Sequence, residues 1–206
     1  MAERARAQVR GGRDVVVAAA VDNFQRLGYH GTSMRDIAAS AGITVASIYH
    51  HFPSKQLILQ DIMVGVLSDV IAMTRSALLA AGPGPDERLA AVVRAWITFH
   101  TTRRAEALIG ASEIRSLDDA GRRIVVALRD EQEHMFRDVV DRGVAEDTFV
   151  TPYPREAVRA IVTMGSSVAT WYHEGGSLAP VELAERYATL ALGMVGSRAY
   201  GGHGTP

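Results

Sequence analysis

Apolar residues recur three and four positions apart along almost the whole chain, and nowhere does the strict alternation of a strand persist. From Asp14 to Leu27 the apolar positions are Val17, Ala20, Val21, Phe24 and Leu27, one stripe of a helix that Gly28 ends in the turn Gly28-Tyr29-His30-Gly31. Met34, Ile37 and Ala38 line a short second helix that closes at Ala41-Gly42. Ser33 stands at its cap position, with Asp36 three residues on in the spacing of a capping box. Thr44 caps a brief third helix, Val45 to His50. After a turn containing Pro53, Ser54 opens a long helix that runs to about Ala80.

The remainder has longer elements. Gly82-Pro83-Gly84-Pro85 is the strongest break in the chain, and Asp86 begins a helix to about Arg103. A shorter helix covers Ala105 to about Leu117. A charged amphipathic one spans 119–142 and is closed by Gly143. Beyond the loop Thr148 to Pro154, one helix reaches about His173, and a last one opens at Pro180 and extends to about Ser197. The predicted class is all-α, without internal repeats, preceded by a loose basic arm and followed by a disordered tail at 201–206.

With 206 residues, 48% of them hydrophobic and 22% charged, the chain can build a core without staples. It has no cysteine, which excludes disulfides, thiolate metal sites and cysteine nucleophiles. The N-terminal MAERARAQVRGGRD carries arginines but no apolar core of a secretory leader. No stretch reaches the roughly 18 apolar residues of a membrane span, so a cytoplasmic chain with no membrane partner is expected. The net charge of -1 hides an asymmetry. Residues 1–60 hold seven Lys/Arg against four Asp/Glu, or +3, and the remainder holds fifteen against nineteen, or -4. A basic head on an acidic body suits a polyanionic partner at the N-terminal end. Signatures of zinc peptidases, serine hydrolases, P-loops and dinucleotide folds are absent. Glu131 and His134 share a helical face, but no second Glu-x-x-His answers them. No enzyme activity, metal site or cofactor is expected.

The informative stretch is Thr32-Ser33-Met34-Arg35-Asp36-Ile37-Ala38, Ala41-Gly42-Ile43-Thr44 and Ser47-Ile48-Tyr49-His50-His51-Phe52-Pro53-Ser54-Lys55. Two helices of this length joined by Ala41-Gly42-Ile43 form a helix-turn-helix, or equally a plain helical hairpin in a bundle. The runs "TSMRDIA", "AGIT" and "IYHHFPSK" resemble the DNA-binding domain of TetR/AcrR transcriptional regulators over residues 12–60. Ala46 and Gln56 stand where that family often has glycine and an acidic residue. The resemblance implies a head at 1–53 and an effector-binding and dimerisation body at 54–200, with 54–80 as linking helix. It implies Thr44, Val45 and Ser47 as base readers, with Thr44 alternatively on phosphate, and Tyr49 and His50 as backbone contacts. Thr32, Ser33, Arg35 and Lys55 would be phosphate anchors on a double-stranded, palindromic operator. Phe52 reads as a hydrophobic plug and His51 as structural. Arg4, Arg6 and Arg10 are candidates for a minor-groove arm.

In the body, Trp96, Phe99, His100, Ile109, Met135, Phe136, Val139 and Trp171 supply the lining of an effector pocket or, equally, ordinary core. The last two helices, with Ile161, Met164, Val168, Leu183, Leu190, Leu192 and Met194, have the length for a homodimer interface. "ALRDEQEHMFRDVVDRGV" and "WYHEGGSLAPVELAERYATLAL" further resemble a subgroup that senses CoA thioesters of fatty-acid or sterol breakdown. Arg115, with Arg94, Arg103, Arg104, Arg122 and Arg123, then becomes a candidate for the phosphates. A drug, antibiotic or aromatic metabolite is the competing effector class.

Overall fold

The computed structural model describes residues 2–199, with the backbone alone at 2–11. The side chains of Arg4, Arg6 and Arg10 and the tail at 201–206 lie outside the described residues. The described residues form nine α-helices and the chain is all-α, in agreement with the sequence. They divide into two compact units. One holds the residues up to Val66 with Leu108–Val126, and the other Leu67–Ala107 with the residues from Ala127 onward.

The first unit contains α1 (Ala2–Gly31), α2 (Met34–Ala41), α3 (Val45–His51), the start of α4 (Lys55–Ala80), the end of α6 (Arg104–Ser112), a 3-10 turn (Glu113–Ser116) and the start of α7 (Asp119–Ala145). The helical backbone of α1 runs back to Ala2, where a loose arm is predicted, because Ala2 to Gln8 are good helix formers. Gly28 breaks it as expected, at φ 73° and ψ 161°, outside the range of a helix. The buried stripe of α1 is Val16, Ala19, Ala20, Asn23 and Phe24, one register away from the predicted one, and Leu27 is half exposed. The displacement comes from Asn23. Its amide donates to the Ala19 carbonyl and to Ser40 Oγ, both at 2.8 Å, so a polar residue sits in the core with its donors satisfied.

The second unit is built on α5 (Pro85–Thr102), which packs against α8 (Pro154–Trp171) and α9 (Pro180–Met194). Leu89, Val92, Val93 and Ile97 of α5 meet Ile161 and Val168 of α8 and Leu183, Ala188 and Leu192 of α9 in a closed apolar core. Gly143 does not end α7, as the sequence suggested. The helix continues to Ala145, and the glycine is required by a close approach. A Cβ there would lie 2.1 Å from the Phe149 ring, which pins the following loop beside the end of α9 through the bridge Phe149–Ser197. Helices α6, α8 and α9 end at Ser112, Trp171 and Met194, earlier than predicted. A 3-10 turn takes over after α6.

One expectation is corrected. By length and composition α4 could cross a membrane: it has an 18-residue window of mean hydropathy 1.7, of which 44% is buried in the protein. Its charged residues are spaced widely enough to leave that window apolar. They are also paired, Asp61 with Arg13, Asp69 with Arg103 and Arg75 with Glu131, as suits a helix embedded in a folded protein.

Gly143→Ala is expected to destabilise the protein by about 1–3 kcal/mol through overpacking against Phe149. Thermal unfolding should fall by roughly 2–4 °C per kcal/mol, and the double variant Gly143→Ala/Phe149→Leu should recover part of the loss. An unchanged midpoint in the single variant would show that Phe149 moves aside freely.

Candidate DNA-reading surface and effector-binding core

In the first unit the short helices are closed at both ends. Ser33 Oγ donates to Asp36 Oδ2 at 2.6 Å and accepts from the Asp36 N–H at 3.2 Å, while the Asp36 carboxylate receives the Ser33 N–H at 2.8 Å. These bonds hold the Asp36 carboxyl below the usual carboxylate range. Gly42 takes the left-handed conformation, φ 66°, that lets its N–H close the end of α2. Thr44 Oγ1 accepts from the Ser47 N–H at 3.2 Å and so caps α3, which starts at Val45. Ile37, Ala38, Ile48 and Phe52 fill the space beneath. What α3 leaves outside is Thr44, Tyr49 and His50, with Val45 and Ser47 partly covered and Arg35 exposed on α2.

Phe52 is 2% exposed, with the Arg13 guanidinium 4.4 Å above its ring. Arg13 Nε in turn donates to Asp61 Oδ2 at 3.2 Å, so one arginine ties α1 to the end of α3 and the start of α4. His51 lies against the chain at Gly12, as expected of a structural residue. Two proposed phosphate anchors have internal duties. Thr32 is buried and donates to the Gly28 carbonyl at 2.8 Å. Lys55 Nζ donates to the carbonyls of Tyr29 and Thr32 at 2.7 and 2.6 Å and lies 4.3 Å over the Tyr29 ring. Desolvation lowers the Lys55 pKa against the pull of the Glu113 charge, and burial followed by Glu113 raises that of Tyr29.

In the second unit an aromatic cluster forms on α5 and α7. The Trp96 ring meets those of His100 at 4.3 Å and Phe136 at 5.8 Å, and Phe99 meets His100 at 5.4 Å. Trp96 is seated against Gly165 of α8, where a Cβ would lie 2.3 Å from the indole, and its Nε1–H donates to the Val162 carbonyl at 3.2 Å. His100 Nδ1 is 2.8 Å from the Trp96 carbonyl, which can only accept, so that nitrogen carries the proton. Burial pushes the imidazole down to about 4 against the opposing effect of that hydrogen bond. Met135 is half-buried and Val139 buried on α7. Trp171 stacks on Tyr187 at 6.5 Å and is 48% exposed. Ile109 and Arg115 belong to the first unit, so the structure does not gather all the proposed lining residues in one core. Of the arginines considered for phosphate, Arg94 pairs with Glu185, Arg103 with Asp69 and Glu106, and Arg104 donates to the Ala169 carbonyl at 2.7 Å.

The sequence reading passed over Gln132 and Thr74, both buried, with Thr74 Oγ1 3.1 Å from Gln132 Oε1. The signal was available. Gln132 stands seven residues after Val125 and four before Phe136, within the buried stripe of α7. No group of three or more metal-binding side chains occurs among the described residues.

The family profile described as "Bacterial regulatory proteins, tetR family" matches residues 16–62, and that of "Tetracyclin repressor-like, C-terminal domain" matches residues 82–195. The chain is 29% identical over 185 residues to the HTH-type transcriptional repressor KstR2 of Mycolicibacterium smegmatis, covering 89% of this chain and 90% of that protein. Among solved structures, a tetR-family regulatory protein from Rhodococcus RHA1 superposes with a TM-score of 0.85 at 30% identity, covering 90% of this chain and 97% of that one. The ketosteroid transcriptional regulator KstR2 of Mycobacterium tuberculosis gives a TM-score of 0.80 at 26% identity, covering 90% and 95%.

His100 makes stability depend on pH. Its folded pKa of about 4 lies below the ordinary 6.5, so the unfolded chain takes up the proton first as pH falls. Its contribution is therefore complete above pH 6.5 and is lost on the way down to about 4, by about 3 kcal/mol in all. Urea unfolding at pH 7.5 and near 4 should show wild type losing that much more than His100→Phe. Parallel losses in the two proteins would contradict the assignment.

Proposed function

The chain belongs to the tetR family of bacterial regulatory proteins, and from that premise we propose that it is a homodimeric repressor released from a palindromic operator by an acyl-CoA-type metabolite. The observation that carries the reading is the likeness to KstR2 repressors along nearly the whole chain, head and body together. Thr44 supports the operator part: its oxygen caps α3 while its own hydroxyl proton remains for a phosphate or base outside. Val45 and Ser47 read bases beside it, Tyr49 and His50 steady the far end of α3 on the backbone, and Arg35 supplies a cation from α2. Ser33 acts by holding α2 in place, its hydroxyl proton being donated to Asp36, while Lys55 ties α1 to α2 with two of its three ammonium protons. Each good base contact discriminates by about 1–3 kcal/mol, so one short helix reads too little sequence and two copies on a palindrome supply the rest. The outward side of α8 and α9, with Trp171 stacked on Tyr187 and Leu190 and Met194 exposed, is the surface assigned to the second copy.

Helices α4, α6 and α7 each run from one unit into the other, so a ligand that repositions them in the body also acts on the head through covalently continuous elements. The effector class rests on the ketosteroid regulator among the relatives and on the aromatic cluster of Trp96, Phe99 and Phe136, which suits an apolar acyl group. Arg115, Arg122 and Arg123, the other arginines offered for CoA phosphates, are exposed in the first unit, and Arg122 donates to the Leu117 carbonyl at 3.3 Å. One observation favours a second reading, an uncharged hydrophobic effector: Arg94, Arg103 and Arg104 are occupied by internal partners.

Fluorescence anisotropy of the protein on DNA from its own upstream region, at fixed salt, separates these readings. Octanoyl-CoA should release the operator at concentrations where octanoic acid and free CoA do not. Tight binding that no thioester weakens would remove the CoA reading and leave the uncharged effector.

A further inference from the structure

Gln132 is 2% exposed, and its Nε2 has no hydrogen-bond acceptor among the described residues. Reversing the amide does not remove the deficit. Thr74 has one hydroxyl proton and two main-chain acceptors of its own, the Val70 and Ile71 carbonyls at 2.8 and 3.1 Å. If that hydroxyl instead accepts from the reversed amide, Oε1 is the atom left without a donor. A buried polar group without a partner is strongly disfavoured, and an apolar residue of this shape would fill the position without that penalty. A fixed water needs two to four polar partners, and the nearest hydroxyl is already committed. Two apolar groups stand close by: Met135 Sδ lies 3.9 Å from Thr74 Oγ1, and Phe136, one turn along α7, carries the edge contact to Trp96.

We propose that the Gln132 carboxamide is the hydrogen-bonding point for a neutral oxygen-bearing group of the effector, a carbonyl or hydroxyl held beside Phe136 and Trp96. This rests on the reading of the second unit as effector-binding, and it assigns that effector's polar contact to a residue of α7 rather than to an arginine. The amide donates to the oxygen through Nε2 and keeps Oε1 toward Thr74.

The test uses the full-length protein and the variant Gln132→Met, which keeps length and volume and leaves Thr74 its main-chain acceptors. Without ligand, the variant should bind operator as wild type does and unfold at the same temperature or a few degrees higher. A lower midpoint would mark Gln132 as a structural residue and overturn the proposal. The side-chain amide signals of Gln132, identified in nitrogen-15 NMR spectra by their loss in the variant, are then followed on addition of octanoyl-CoA and, separately, 2-octanone. At least one probe should move them, and the variant should bind that probe at least tenfold more weakly. Signals unmoved by both probes overturn the proposal. Operator release by octanoyl-CoA with unmoved signals would overturn it and leave the thioester reading intact. Signals moved by 2-octanone, with no thioester releasing the operator, would support it and remove the thioester reading.

Discussion

The DNA-reading head depends on how the ends of α1, α2 and α3 are closed, because a helix end leaves main-chain groups that must find partners. Lys55 is the centre of this arrangement. Its ammonium takes the carbonyls of Tyr29 and Thr32 where α1 gives way to α2, and it lies over the Tyr29 ring. Around it, Thr32 closes back on Gly28, Ser33 and Asp36 cap α2 reciprocally, and Thr44 caps α3. Arg13 then clamps Phe52 and Asp61. Since the closing bonds are made between side chains and main chain of the head itself, α3 can present Tyr49 and His50 outward without loosening its own ends.

The body follows a different constraint, the seating of one large side chain. Trp96 fits only because position 165 is glycine, and its indole nitrogen is satisfied by a carbonyl of the same helix, α8. Phe136 and His100 then pack on its ring. The resulting core is dry enough to keep His100 neutral, and in that environment the unmatched amide of Gln132 stands out.

Much of this was legible in the residues. Ser33 with Asp36, Thr44, Gly28 and Gly42 mark helix ends by chemistry that acts within a few positions, and the structure places them at those ends. Gly143 was misread as a stop, because its reason is Phe149, a ring that meets it only after the chain has turned back. Asn23 shifted the buried stripe of α1 for a similar reason: its partner Ser40 lies on another helix. Lys55 and Thr32 carry the right chemistry for phosphate, and only the fold shows the carbonyls to which Thr32 gives its proton and Lys55 two of its three. The division into units was also hidden, since Leu108–Val126 packs with the head although it follows α5 in sequence.

The central claim is that one ligand in the body and one operator at the head compete through shared helices. Such coupling is reciprocal, so the factor by which the effector weakens operator binding must equal the factor by which operator weakens effector binding. Titration calorimetry of octanoyl-CoA into the free protein and into the preformed operator complex measures this directly. The account predicts weaker binding to the complex, by the same factor that separates operator affinities with and without the thioester. Equal affinities for the free and operator-bound protein would contradict it.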